Sequence, residues 1–200
     1  MENNKNRFSD KSDDYAKYRP SYPMQILQFL KDYNFSNKSI IADIGTGTLT
    51  KIFTENGNNV YAVEPNDNMR GKANSLLNMH KNYFSINGTA EDTTLENNSI
   101  DFIVVGTAFH WFDISKALNE FKRILIKAGV LVLLWNDIKY DTAFMKEYHM
   151  IKRKFSNNSK KDIRNDLTDE EIQHLYLSEF KKITLENNQE LTLEELVGRF

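Results

Sequence analysis

The sequence predicts an α/β fold, a three-layer, doubly wound, Rossmann-like sheet that is mostly parallel. Three observations carry this. Short β-branched or apolar runs alternate with helix-period segments, at close spacing, from Ile40 to Trp135. A Gly-Thr cluster follows the first run, and a lone acid, Glu64, closes the second. The fourth run, Ile100–Val105, is nearly all apolar, as a strand covered on both faces must be. Strand–helix–strand repeats of this kind close through right-handed crossovers into a layered sheet.

The elements follow in order. Residues 1–14 are polar, charged and aperiodic, and read as a disordered arm. Tyr15–Pro23 packs three tyrosines, Arg19 and two prolines into one short segment, which suits a stiff strap more than a linker. Ser21 and Pro23 open a helix with Ile26, Leu27, Phe29 and Leu30 as its apolar face. Ile40–Ile44 is the first strand, and Leu49, Ile52 and Phe53 mark one side of the helix after it. Val60–Val63 is the second strand, and Asn66 or Asp67 caps a helix to about Asn78. Tyr83–Ile86 and Ile100–Val105 are the third and fourth strands. Ile114–Lys127 is a helix with Ala117, Leu118, Phe121, Ile124 and Leu125 inward, ended by Gly129. Val130–Trp135 is the fifth strand. Asp141–Phe155 reads as a helix with Phe144, Tyr148, Ile151 and Phe155 on one face, and residues 156–167 as a polar, basic loop. Thr168–Glu171 and Thr192–Glu195 are capping-box patterns that open two further helices, with a weak strand at Lys182–Leu185 between them.

Composition narrows the function classes. The chain has 200 residues, 40% of them apolar, enough for one sizeable core. Lys plus Arg number 26 against 28 Asp plus Glu, so the basic excess of a general nucleic-acid binder is missing. The basic stretch Lys152–Lys154 with Lys160, Lys161 and Arg164 reads as a solvated helix end and loop. With no cysteine there is no disulfide, thiolate metal site or Cys nucleophile. His80, His149 and His174 lack a second ligand at metal spacing, so no metal is expected. The first residues have no apolar core and Val130–Trp135 is the longest fully apolar run, which points to a cytoplasmic chain without a membrane segment.

Four features fall at the carboxyl edge of the predicted sheet, where a doubly wound fold binds ligands. Asp43–Thr48 is a glycine turn that lets the backbone approach a ligand and offers the free N–H groups of the next helix. Glu64 can accept both hydroxyl protons of a ribose. Gly88–Asp92, with Thr89, Ala90 and Glu91, can reach an adenine edge. Gly106–Asp113, with His110, Trp111 and Phe112, stands where substrate chemistry would sit. Each alone also fits a bland role, as a turn, a helix-capping acid, solvated loop carboxylates or packing. Their order at successive strand ends describes an adenosine-binding domain.

The segments IADIGTGTLTKIF, VYAVEPNDNMR, GTAEDTTLENNSIDFIVVGTAFHWFD and AGVLVLLWND resemble successive motifs of class I S-adenosylmethionine-dependent methyltransferases, in the small-molecule type 11 branch. YAKYRPSYP and LTLEELVGR are also similar to that branch. The resemblance implies a seven-stranded sheet with one antiparallel strand near an edge, and residues 15–200 as a single domain. That domain divides into an N-terminal lid and helix (15–38), a cofactor-binding core (39–136), and a C-terminal cap with an incomplete sheet edge (137–200). It implies S-adenosyl-L-methionine as cofactor, with Asp43, Gly45 and Gly47 near its methionine part and Glu64 on the ribose. Thr89, Ala90 and Glu91 would face the adenine, and Gly106 and Thr107 would line the passage to the sulfur. Arg19 is expected to face the cofactor carboxylate from the strap. His110 is the candidate base for an acceptor that must lose a proton.

Two departures set further expectations. The family's first loop reads D-x-G-x-G-T-G-x-L-T, whereas here Leu49 follows Thr48 directly. A shortened turn should weaken cofactor binding unless the Thr46 and Thr48 hydroxyls compensate. The sheet is also expected to lack its last strand, leaving an edge through which two copies would dimerise. The resulting reading is methyl transfer to a small molecule. The alternatives are a cofactor-impaired homologue acting as a binding module, and an NAD-dependent oxidoreductase, whose G-x-G-x-x-G fingerprint here has Thr50 at its third glycine.

Overall fold

The computed structural model describes residues 20–45, 48–155 and 180–197. These fall into two compact units. The first runs through Trp135 and takes in Leu185–Glu190, and the second holds the residues from Asn136 to Thr184 and from Leu191 onward.

The first unit is built on five strands, β1 (Ile40–Ile44), β2 (Asn59–Val63), β3 (Tyr83–Ile86), β4 (Ile100–Gly106) and β5 (Leu125–Leu134). All neighbours pair in parallel, in the order β3-β2-β1-β4-β5. Ile41 of β1 lies opposite Val60 on one side and Phe102 on the other. The chain therefore winds one way from β1 through β3 and the other way through β4 and β5. The switch point lies between the carboxyl ends of β1 and β4.

The helices of this unit are α1 (Ile26–Leu30, continued by a 3-10 turn, Lys31–Tyr33), α2 (Thr48–Glu55), α3 (Asp67–Leu77) and α4 (Ile114–Ile124). Each starts and packs as its sequence dictates. The Asn66 side chain caps α3 by accepting from Met69 N at 3.0 Å, and Asp113 caps α4 through Lys116 N at 3.3 Å. Leu49, Ile52 and Phe53 of α2 are buried, as are Ala117, Leu118, Phe121 and Ile124 of α4. Phe35 packs edge-on against both Phe53 and Phe102, at centroid distances of 5.9 and 5.4 Å. Leu185 packs against this core, and Asn187 Nδ2 donates to the Ser21 carbonyl at 2.6 Å.

The second unit contains α5 (Ala143–Phe155) and α6 (Leu193–Val197). The capping box of α6 forms as the sequence predicts, with Thr192 N donating to Glu195 Oε2 and Glu195 N to Thr192 Oγ1. The expected apolar face of α5 is only partly covered, since Tyr148 is buried while Phe144 and Ile151 are exposed.

Several expectations need correction. The α4 helix stops at Ile124 and does not reach Lys127. Leu125 is already extended (φ −67°, ψ 139°) and pairs with Ile100. The fifth strand thus begins before Val130, and a register shift between Ile100 and Phe102 absorbs the extra residues. Gly129 does not end a helix. It lies inside β5, where a Cβ would come within 2.7 Å of Leu125 Cδ2 and 3.2 Å of the Asp101 carbonyl. Lys182–Leu185 forms no strand, and the sheet of the described residues has five strands and no antiparallel member. Arg19 and the strap before Pro20, Thr46, Gly47, the helix expected after Thr168, and Lys160, Lys161, Arg164 and His174 lie outside the described residues.

Candidate functional site

The site is assembled from the carboxyl ends of β1 to β4. Asp43, near the end of β1, is buried, and its Oδ2 accepts from both Thr50 N (2.9 Å) and Thr50 Oγ1 (2.6 Å). One threonine in α2 thereby locks the end of β1 to the helix that follows it. Burial pushes the Asp43 carboxyl up, the Thr50 bonds pull it down and the nearby Glu64 charge adds to the rise, which brings it to about 7. Thr50 is the site residue that sequence reading passed over. Its signal is a hydroxyl on the buried face of α2, where an apolar side chain would otherwise stand.

Gly45 continues from β1 with φ +101°, a conformation that favours glycine. A Cβ there would also come within 3.1 Å of Ala108 Cβ, so the β1 and β4 loops touch at this point. The Gly45 amide donates to the Val63 carbonyl at 3.0 Å, which ties the turn to β2 as well. After the two residues outside the description, α2 opens at Thr48.

Glu64 follows β2 and is half-buried. Its Oε1 accepts from Asn66 N at 2.8 Å, and its carbonyl accepts from Arg70 Nη1 at 3.0 Å. Burial holds its carboxyl above the usual range, opposed by the Asn66 amide and the Arg70 charge. Beyond β3, Thr89 and Asp92 exchange backbone hydrogen bonds in a tight turn, and Asp92 N also donates to Thr89 Oγ1. Ala90 is buried, and Glu91 Oε1 accepts from the Asp113 amide at 2.8 Å.

The β4 end is the most crowded. A Cβ on Gly106 would meet the Tyr22 hydroxyl at 2.8 Å and Leu49 Cδ1 at 3.0 Å. Thr107 is buried in a left-handed conformation (φ +51°), and its amide donates to the Leu134 carbonyl at 2.8 Å. A 3-10 turn follows at Phe109–Trp111. Phe109 is fully buried, while His110 and Trp111 are half-buried with ring centroids 4.7 Å apart. Among the described residues there is no His, Asp and Glu cluster able to hold a metal ion, and no helix long and apolar enough to cross a membrane.

The structure thus brings Asp43, Gly45, Glu64, Gly106, Thr107 and Ala108 to the strand ends around the switch point. It joins Thr89, Ala90 and Glu91 to the neighbouring loop through Asp113. A buried and a half-buried carboxylate beside a glycine turn suit a ligand rich in hydroxyls or carrying positive charge.

Residues 42–133 match the methyltransferase domain family. An uncharacterised methyltransferase of Mycobacterium tuberculosis is 34% identical over 122 residues, covering 61% of this chain and 49% of its own length. An uncharacterised methyltransferase of Schizosaccharomyces pombe is 34% identical over 127 residues, covering 62% and 49%. The chain spans about half the length of these two relatives. The crystal structure of an S-adenosylmethionine-dependent methyltransferase from Aquifex aeolicus superimposes with a TM-score of 0.54, at 23% identity, over 66% of this chain and 76% of that one. This last likeness is one of fold.

Proposed function

We propose that this chain, whose residues 42–133 match the methyltransferase domain family, binds S-adenosyl-L-methionine and transfers its methyl group to a small molecule. The observation that carries the reading is the pair Asp43 and Glu64. They stand at the ends of adjacent strands, both buried enough to be held above the usual carboxylate range, beside the Gly45 turn.

When bound, the cofactor supplies a methyl group activated by its sulfonium. The rest is work for the chain. Glu64 takes the ribose hydroxyls through Oε2, its Oε1 being engaged by Asn66. Asp43 gives the methionine part a buried carboxylate, held in place by Thr50. Gly45 and Gly47, with the Thr46 and Thr48 hydroxyls, form the cradle, Arg19 meets the carboxylate, and the Thr89–Glu91 turn walls the adenine. Gly106 and Thr107 border the passage to the acceptor, and His110 removes a proton where the acceptor must lose one. Fixing two reactants in line can supply about 7–11 kcal/mol of the barrier. The same reading gives the chain a dimer partner along β5, an edge strand of the sheet among the described residues.

Calorimetric titration with S-adenosylmethionine, S-adenosylhomocysteine and, separately, NAD tests the proposal. Micromolar binding of the first two, weakened at least tenfold by Glu64→Ala through one lost charged hydrogen bond of about 1.5–3 kcal/mol, is expected. Binding of NAD alone would replace this reading with an oxidoreductase. The packing of Tyr22 and Leu49 on Gly106 favours a second reading, a cofactor-impaired binding module, which failure to bind any of the three would support.

A further inference from the structure

The sequence places Glu91 on the adenine, but its carboxylate is engaged elsewhere. Glu91 Oε1 accepts from the backbone N–H of Asp113 at 2.8 Å. Asp113 is the N-cap of α4, and it ends the loop that carries His110 and Trp111. Its side chain accepts from Lys116 N and pairs with the Lys116 ammonium at 2.9 Å. Further along the same two segments a second carboxylate repeats the arrangement. Glu120 Oε1, on α4, accepts from the amide and hydroxyl of Thr93. The loop after β3 is therefore fastened to α4 at two points, by Glu91 at the helix N-cap and by Thr93 to Glu120 in the second turn. The two fastenings differ in place. The Glu120 bond lies within the buried base of the loop, whereas Glu91 directly follows Thr89 and Ala90 and reaches the acceptor loop.

We propose that Glu91 is a positioning residue that latches the loop after β3 to the acceptor loop through the Asp113 amide, so that ordering at the adenine side is passed to His110 and Trp111. The ligand half of this rests on the reading of the site as a cofactor site. A carboxylate accepting a part-buried amide proton is among the stronger single hydrogen bonds a loop can make. Its loss leaves the Asp113 end of the segment from Ala108 to Asp113 held only by the first turn of α4.

Asp113 provides the discriminating test, because its geometry accepts proline. Its φ is −72°, near proline's own, and the preceding Phe112 is extended (φ −85°, ψ 154°), as a residue before proline must be. Asp113→Pro deletes the N–H that Glu91 holds and leaves Glu91 in place. Asp113→Ala loses the cap but keeps the N–H. The variants are made in the full chain carrying Trp135→Phe, so that Trp111 is the sole tryptophan. Acrylamide quenching of Trp111 is measured without ligand, and S-adenosylhomocysteine binding by calorimetry. Glu91→Ala and Asp113→Pro should both increase quenching and weaken binding about tenfold, the equivalent of one charged hydrogen bond. Glu91→Gln, which keeps an acceptor oxygen, and Asp113→Ala should stay with the parent. If Asp113→Pro matches Asp113→Ala in both readouts while Glu91→Ala alone weakens binding, Glu91 touches the ligand directly and the latch is overturned. Unchanged quenching in folded Glu91→Ala overturns it as well. Absence of binding by the parent overturns the cofactor reading and the ligand half of the proposal, while quenching still decides whether Glu91 holds the loop. Circular dichroism identifies a variant that fails to fold, and the remaining Glu91→Ala and Glu91→Gln pair then carries the decision.

Discussion

The Tyr22 hydroxyl lies 2.8 Å from Thr107 Oγ1, a buried hydrogen bond between residues 85 positions apart. It fastens the segment before α1 to the end of β4, at a threonine held in the left-handed region. The same phenol covers Gly106, so one ring closes the strand end from the N-terminal side. Tyr22→Phe keeps the ring and removes the bond, leaving a buried hydroxyl to find another partner. The expected cost is about 1–3 kcal/mol in the unfolding free energy, read from urea denaturation. Gly106→Ala drives a methyl group into a hydroxyl that is already bonded, and should cost a similar amount, about 1–3 kcal/mol, by overpacking. If both variants unfold with the parent, the closure is decorative.

Asp43 makes a prediction about pH. Its carboxyl is raised from 3.8 to about 7 in the folded chain, chiefly by burial. Between those values the folded protein holds a proton that the unfolded chain has released. The contribution of this group to stability is complete below about pH 4 and is lost as pH rises to about 7, with a slope of about 1.4 kcal/mol per unit. Asp43→Asn keeps an oxygen for Thr50 and removes the ionisation. The difference in unfolding free energy between parent and variant should therefore move in the variant's favour from pH 5 to 8. A flat difference would show that Asp43 titrates as an ordinary aspartate.

Glu120 behaves in the opposite sense. Hydrogen bonds from Arg123, with help from Thr93, hold its carboxyl down at about 2. Its stabilisation is present above the ordinary glutamate range and is lost as pH falls from about 4.5 toward 2. Glu120→Ala strips the Thr93 amide and hydroxyl and the Arg123 guanidinium of their acceptor at once. A loss of at least about 2 kcal/mol is expected at pH 7, since Thr93 is fully buried. Thermal unfolding at pH 7 and pH 3 checks both parts, because the gap between parent and variant should narrow at the lower pH.

These cases show which parts of the molecule the sequence exposes. The strands β1 and β3 match their expected bounds residue for residue, because β-branched and aromatic runs flanked by polar turns have no competing reading. The start of β5 was misplaced because Ile124, Leu125 and Ile126 continue the helical repeat of α4. Only the pairing of Leu125 with Ile100 draws them into the sheet. The loop positions of Asp43, Gly45 and Glu64 were legible, since strand ends fix them. What held those residues was not. The helical repeats do not mark Thr50 as the partner of Asp43 or Glu120 as the acceptor for Thr93, and Tyr22 carries no sign of Thr107. Each partner is chosen by crossings of the chain that leave no period in the sequence.

The first loop yields the sharpest prediction. The α2 helix begins at Thr48, and Leu49 is already buried with Cδ1 against Gly106. Leu49, Ile52 and Phe53 contribute about 1.5–3 kcal/mol each by burial, and Thr50 is bonded to Asp43, so the helix cannot slide outward along its axis. The two residues by which the turn is shorter than D-x-G-x-G-T-G-x-L-T must then be missing from the stretch that offers free N–H groups to a ligand. Inserting Gly-Lys between Thr48 and Leu49 restores the length without moving Leu49 or Thr50. The inserted chain should bind S-adenosylhomocysteine more tightly, about tenfold for one regained hydrogen bond to a charged group. The melting temperature should change little, because the buried face of α2 is untouched. Equal or weaker binding by a folded insertion variant would mean that the Thr46 and Thr48 hydroxyls already serve in place of the missing amides. In that case Thr48→Val, which removes one hydroxyl at nearly constant shape, should weaken binding in the parent and leave its stability unchanged.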